Sequence, residues 1–282
     1  MMMIGSFKGD IHMKVIFLDI DGTLVDYEGK MPKSAMKAVQ EARKNGHKIY
    51  LTTGRSKAEV YQYLWDIGFD GMIGGNGMYI EDNGLVIQDL AMSKEMTVRT
   101  VHWMNENDIG FYLESKNGLF GSDNFFSKAS FLYGEDSEEN RKKVNDLFPE
   151  MIFDGEMKRD DVAKISFCLN PDKLEEAKKE FQDELKIGSW SLTGKKQEFG
   201  EFAINGVDKV NAVHILLEHL KAGLEDTFAF GDADSDLQMV KHCNVGVAMG
   251  NATDNLKEVA DYVTEDVTNH GLWNAFRKYG IA

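Results

Sequence analysis

A chain of 282 residues with 43% hydrophobic content and three prolines is long enough for two domains, or for one carrying a large insertion, and can bury a real core. Its formal net charge of -15 excludes nucleic acid and anionic membrane as main partners, because both select basic patches. Two cysteines, Cys168 and Cys243, lack CxxC spacing and define neither a zinc site nor a disulfide framework; they read as reduced thiols of a cytoplasmic protein.

Residues 1–12 carry neither a signal-peptide core nor a fold signal, and read as a tag, a start-site artefact or a disordered extension. No apolar run reaches transmembrane length. Val15-Ile16-Phe17-Leu18 is a continuous apolar run, as expected of a parallel strand covered on both faces. A helix follows, with Pro32 near its start, Ala35, Ala38, Val39 and Ala42 on one face, and Gly46 at its end. Lys48-Ile49-Tyr50-Leu51 is the next strand. Ser56-Lys57-Ala58-Glu59 reads as a capping box opening a helix with Val60, Leu64 and Ile67 on its buried stripe and Gly68 as terminator. Gly71-Met72-Ile73 is a third strand. Such repeated units predict a parallel α/β sheet.

From about Leu90 to Glu201 the pattern changes. This stretch is aromatic-rich, with hairpin-like pieces at Glu81-Asp82-Asn83-Gly84 and Leu192-Thr193-Gly194-Lys195. A strand is predicted over Ala163–Phe167 and a helix through Leu174 to Leu185. The last third returns to α/β. Val210, Val213, Leu216, Leu217 and Leu220 mark a helix ended by Gly223, followed by strands at Thr227–Phe230 and Val245–Met249. The predicted fold is α/β: a Rossmann-like parallel-sheet core, residues 13–89 and 202–282, interrupted by an inserted α+β domain, residues 90–201.

The chemistry concentrates at strand ends. Asp19-Ile20-Asp21-Gly22-Thr23-Leu24 closes the first strand, and open parallel sheets bind ligands outside those ends. Side chains two apart share a side of an extended chain, so Asp19 and Asp21 can face one pocket. Carboxylates that close repel, and a divalent metal resolves the repulsion. A second acidic cluster, Gly231-Asp232-Ala233-Asp234-Ser235-Asp236, ends a later strand. An EF-hand is ruled out by Leu237 at the glycine position and Cys243 at the glutamate position. Two acidic strand ends on one sheet instead suit Mg²⁺, which takes few carboxylates and completes its shell with water and substrate phosphate. Thr53-Gly54-Arg55 offers a hydroxyl, close backbone approach and a helix start to a phosphate oxygen. Lys209 begins a helix, where a cation opposes the helix dipole, and is a candidate neutraliser of that charge.

These four segments, in this order and spacing, resemble the haloacid dehalogenase superfamily, specifically its Cof-type sugar-phosphatase branch, from Met13 through Gly271. The insertion is similar to that branch's α/β cap in position and length. The resemblance implies a Mg²⁺-dependent phosphatase of small phosphate esters, with sugar phosphates as the default class. It implies Asp19 as nucleophile, and Asp21 as general acid/base with its backbone carbonyl on the metal. Thr53, with Gly54 and Arg55, would take the phosphoryl group and Lys209 its charge. Asp232 would be the second metal carboxylate, with Asp236 supporting the metal's water shell. Val247-Ala248-Met249-Gly250-Asn251-Ala252 is also similar to the branch and puts Asn251 beside the site. The chain departs from the family at Ser235, where asparagine is usual, and at His270, where an acidic residue is usual and a surface histidine is the plainer reading. Within the insertion Arg159, Trp190, Lys195 and Lys196 are candidates for specificity, although each by itself reads as a packed or solvated side chain. The expected partner is a small phosphorylated metabolite, and the expected state is monomer or homodimer. The alternatives are a phosphosugar mutase using the same Asp19 and a weakly catalytic sensor of a phosphometabolite.

Overall fold

The strand Val15–Leu18 is fully buried, and its four apolar side chains make it the centre of a parallel sheet. The computed structural model of the chain describes residues 12–153, 155–192 and 196–282. The chain forms two compact units. Of the described residues, the first comprises 12–52, 62–72 and 213–282, and the second comprises those in 53–61 and 73–212. This division assigns the Thr53–Tyr61 segment, residues 73–89 and the start of the Lys209 helix to the second unit, whereas the sequence boundaries grouped them with the core.

In the first unit the strands lie in the order Tyr262–Val263, Val245–Ala248, Thr227–Gly231, Val15–Leu18, Lys48–Thr52, paired in parallel throughout. This is the Rossmann-like core. From Val15–Leu18 the chain adds strands to one side, and its C-terminal third adds them to the other, so strand order reverses beside the first strand. The helix Lys33–Lys44 buries Ala35, Ala38, Val39 and Ala42, the face expected from its periodicity. The helix predicted after Ser56 is broken. Half of the capping box forms, the Glu59 carboxylate accepting from Ser56 N–H at 2.6 Å, and it caps one 3-10 turn, Lys57–Glu59; Val60 is extended, and an α-helix resumes only at Gln62–Ile67.

In the second unit Tyr79–Asp82 and Leu85–Asp89 form the expected hairpin, with Asn83 and Gly84 both at positive φ as a type I′ turn demands. A six-stranded sheet follows, in the order Leu185–Trp190, Phe199–Ile204, Lys164–Cys168, Phe111–Ser115, Gly118–Gly121, Met151–Ile152. Its pairs are antiparallel except the last. One face carries Phe111, Leu113, Ile165, Phe167 and Phe202 into a core with Ala177 and Phe181. The other carries Tyr112, Cys168 and Phe199 into a core with Phe125, Val144 and Phe148. The helix expected through Leu185 ends at Phe181, because Leu185 opens the edge strand and is buried in the first of these cores. Cys168 and Cys243 are free and buried, and burial pushes both thiols up to about 12, which leaves them unreactive.

Candidate active site

The first strand delivers Asp19 to its C-terminal end, where the Asp19 N–H still donates to the Phe230 carbonyl at 3.1 Å. That bond ties it to the neighbouring strand, which delivers Asp232 one residue past its own end. Strand order reverses at this pair, the location where open α/β sheets bind ligands. Among the described residues, the carboxylates of Asp19, Asp232 and Asp236 form one group whose ligand atoms lie within 4.8 Å of one another. All three residues are buried. Three converging buried carboxylates are costly without a cation. An all-oxygen donor set suits a hard divalent ion such as Mg²⁺, so the residues fit the metal expected of them. The Asp21 carboxylate is not in this group.

The loops around the carboxylates are held tightly. After Asp19 the chain folds back, with the N–H groups of Leu24 and Val25 both donating to the Ile20 carbonyl at 2.9 Å. Gly22 has φ of +85°, and a side chain there would run into the Asp232 carboxylate. Asp236 accepts from the N–H groups of Asp232 at 3.2 Å and Ala233 at 3.3 Å, which fixes the turn presenting Asp232. Asn251 bridges two stretches of backbone: its amide donates to the Gly22 carbonyl at 2.8 Å and its oxygen accepts from Val267 N–H at 3.0 Å. It therefore braces the Asp19 loop.

Two partners of Asp232 were given no role by sequence reasoning. Thr23 donates from its hydroxyl at 3.0 Å, and the Tyr27 phenol donates to the second carboxylate oxygen. Burial, then the charges of Asp232 and Asp19, raise the Tyr27 phenol well above its usual range, so it stays protonated. Thr23 lay inside the acidic motif and was visible there; Tyr27 sits in a loop with no distinguishing pattern. Ser235 is exposed. His270 is exposed at the start of the last helix, its ring against the Ser34 hydroxyl at 2.9 Å, as a surface histidine would be.

The remaining sequence candidates lie in the second unit. Thr53 is 2% exposed; its N–H donates to Ile73 and its hydroxyl oxygen accepts from Arg55 N–H at 3.1 Å. The Arg55 guanidinium donates to the Glu59 carbonyl at 3.3 Å and the Tyr61 hydroxyl at 3.0 Å. Lys209 is buried at the first residue of the helix Lys209–Leu220. Asp208 accepts from Asn211 N–H at 2.8 Å, offsetting the cation at that helix start. Arg159 is paired with Asp161 at 2.6 and 2.7 Å, and Trp190 stacks on Phe199 with ring centroids 4.6 Å apart. Lys196 is exposed, and Lys195 lies outside the described residues.

Residues 16–276 match the family of haloacid dehalogenase-like hydrolases. YkrA of Bacillus subtilis (strain 168) is 30% identical over 272 residues, covering 95% of this chain and 98% of that protein. The 5-amino-6-(5-phospho-D-ribitylamino)uracil phosphatase YcsE of the same organism is 27% identical, covering 96% of this chain and 98% of that one. Among solved structures, the HAD subclass IIB sugar phosphatase BT4131 superposes with a TM-score of 0.77 at 26% identity, covering 96% of this chain and 100% of that one. The chain belongs to the haloacid dehalogenase-like hydrolases, and within them it is a phosphatase.

Proposed function

We propose that the protein is a Mg²⁺-dependent phosphatase that hydrolyses phosphate monoesters of small polyhydroxylated metabolites through a phospho-aspartate on Asp19. The observation that carries this reading is the buried Asp19, Asp232 and Asp236 group at the point of strand reversal. Asp19 and Asp232 would hold the metal with the Asp21 backbone carbonyl, and Asp236 would support its water shell. Bound there, the ion supplies charge neutralisation for nucleophile and phosphoryl oxygens.

The Asp19 carboxylate attacks phosphorus and the bond to the ester oxygen breaks, while protonated Asp21 gives its proton to the departing alcohol. Asp21 then takes a proton from water. The water oxygen attacks the same phosphorus, the bond to Asp19 breaks, and inorganic phosphate leaves with Asp19 restored. Thr53, with Gly54 and Arg55, is assigned to the phosphoryl oxygens, and Lys209 to their charge. The substrate class is favoured by the relatives: one is named for sugar phosphates and the other for a phosphorylated ribityl chain, both esters of polyhydroxylated carbon chains.

The test is phosphate release from an aryl phosphate and a panel of sugar and polyol phosphates, with Mg²⁺ or with chelator. Release is expected only with metal, and Asp19→Asn is expected to lower it by roughly a thousandfold or more while the fold is kept. Substantial turnover by a folded Asp19→Asn variant would refute the nucleophile. An isomerised phosphosugar in place of inorganic phosphate would mark a mutase.

A further inference from the structure

The second unit contains a buried group of charges that the phosphatase reading leaves without a role. Antiparallel register sets Glu114 opposite Lys164 and Glu201 opposite Ser166, so the four share one face of the sheet. Lys164 is 6% exposed. Its ammonium lies 3.1 Å from Glu114 and 3.6 Å from Glu201, and donates to the Gly54 carbonyl at 3.2 Å. One N–H thus bonds a backbone carbonyl, and the two glutamates face the ammonium as ion-pair partners. Behind them the Trp190 indole N–H donates to Ser166 at 3.1 Å, and the Ser166 hydroxyl donates to Glu114 at 2.5 Å.

A buried ion pair is a poor device for stability, since apolar side chains of equal volume often serve as well or better. This one ends on a backbone carbonyl in the turn assigned to the phosphoryl group. The Gly54–Arg55 peptide is planar and trans, so its carbonyl and its N–H point in opposite directions. Lys164 holds the carbonyl side. On the other side Arg55 N–H donates to the Thr53 hydroxyl oxygen at 3.1 Å. With that lone pair engaged, the hydroxyl hydrogen of Thr53 is directed elsewhere. A cation on the carbonyl also polarises the peptide and strengthens its N–H as a donor.

We infer that Lys164 is a positioning residue, which fixes and polarises the Gly54–Arg55 peptide so that the Thr53 hydroxyl is presented as a donor to a phosphoryl oxygen. The identity of that oxygen rests on the phosphatase reading; the relay from Lys164 to Thr53 rests on the contacts within the second unit. Lys164 keeps its charge: burial works against it, and the carboxylates of Glu201, Glu59 and, once ionised, Glu114 outweigh burial and raise the ammonium further.

The experiment is a double-mutant cycle between Lys164→Met and Thr53→Val in the full chain, read both as kcat/KM for an ester and as calorimetric affinity for inorganic phosphate. Lys164→Met alone is expected to lower both by about tenfold, the effect of one charge-assisted hydrogen bond. In the Thr53→Val background it is expected to add less than about twofold, because the group it acts through is gone. Multiplying effects, or a Lys164→Met variant indistinguishable from wild type, would overturn the inference. If Lys164→Met fails to fold with two carboxylates left exposed to no cation, Lys164→Met with Glu114→Gln and Glu201→Gln removes the charges together and enters the same cycle. Wild-type turnover is a separate readout: its absence refutes the phosphatase reading, while the phosphate-affinity cycle still decides the role of Lys164.

Discussion

Gly22 shows how tightly single positions are constrained. Its φ of +85° is a conformation that side-chain-bearing residues rarely adopt, and a methyl group there would collide with Asp232. Gly22→Ala is therefore expected to cost about 1–3 kcal/mol of stability and to displace the Asp232 carboxylate. Urea unfolding measures the first effect and Mg²⁺ titration calorimetry the second. An alanine variant with native metal affinity would show that the Asp232 position tolerates the shift. Thr23 and Tyr27 act on the same carboxylate, each donating to one of its oxygens, so Asp232 is oriented from the Asp19 loop and not only from its own strand.

At the scale of elements, the polar end of the six-stranded sheet carries a pH dependence. Burial, then the charge of Glu59, raises the Glu114 carboxyl from 4.5 to about 8; Lys164 and the Ser166 hydroxyl work the other way. Glu201 on the neighbouring strand shares the Lys164 ammonium, at 3.6 Å. A carboxyl raised on folding binds its proton more tightly in the native state. Its stabilising contribution is whole below pH 4.5 and is lost as pH rises through about 8. Glu114→Gln keeps a neutral group there. Its stability relative to wild type is expected to improve by about 1–3 kcal/mol between pH 5 and pH 9, read from urea midpoints. Parallel curves would mean that Lys164 keeps Glu114 ionised throughout. The broken helix after Ser56 belongs to this scale too. The capping box was legible in four residues, but extended Val60 ends the turn after one step, and Arg55 and Glu59 are used in holding the segment.

For the whole molecule, metal and stability should be linked. A ligand that binds only the folded state stabilises it, by about 2.7 kcal/mol at a hundred times its dissociation constant. Saturating Mg²⁺ is expected to raise the melting temperature of the chelator-treated protein by roughly 5 °C or more, and Asp232→Asn to abolish the rise. An equal rise in that variant would place the ion elsewhere. Among the described residues, no helix is long and apolar enough to cross a membrane.

The sequence by itself determined the parallel core, the hairpin at Asn83-Gly84, the acidic strand ends and the reaction class. The first three follow from local rules: apolar runs, positive-φ turn residues, and carboxylates placed directly after buried strands; the reaction class came from the resemblance of four segments to a known family. Asp19 and Asp232 could be paired from the sequence because each directly follows a buried strand of the same parallel sheet. Tertiary structure alone decided the rest. Tyr27 meets Asp232 across 205 positions of chain, and Lys164 meets Gly54 across 110. Neither carries a local signal, because an exposed-looking tyrosine and a strand lysine are ordinary until the fold supplies their partners. Tertiary structure also decided where the helix through Leu174 stops, since burial of Leu185 in a strand outweighed the helix propensity of the lysine- and glutamate-rich run before it.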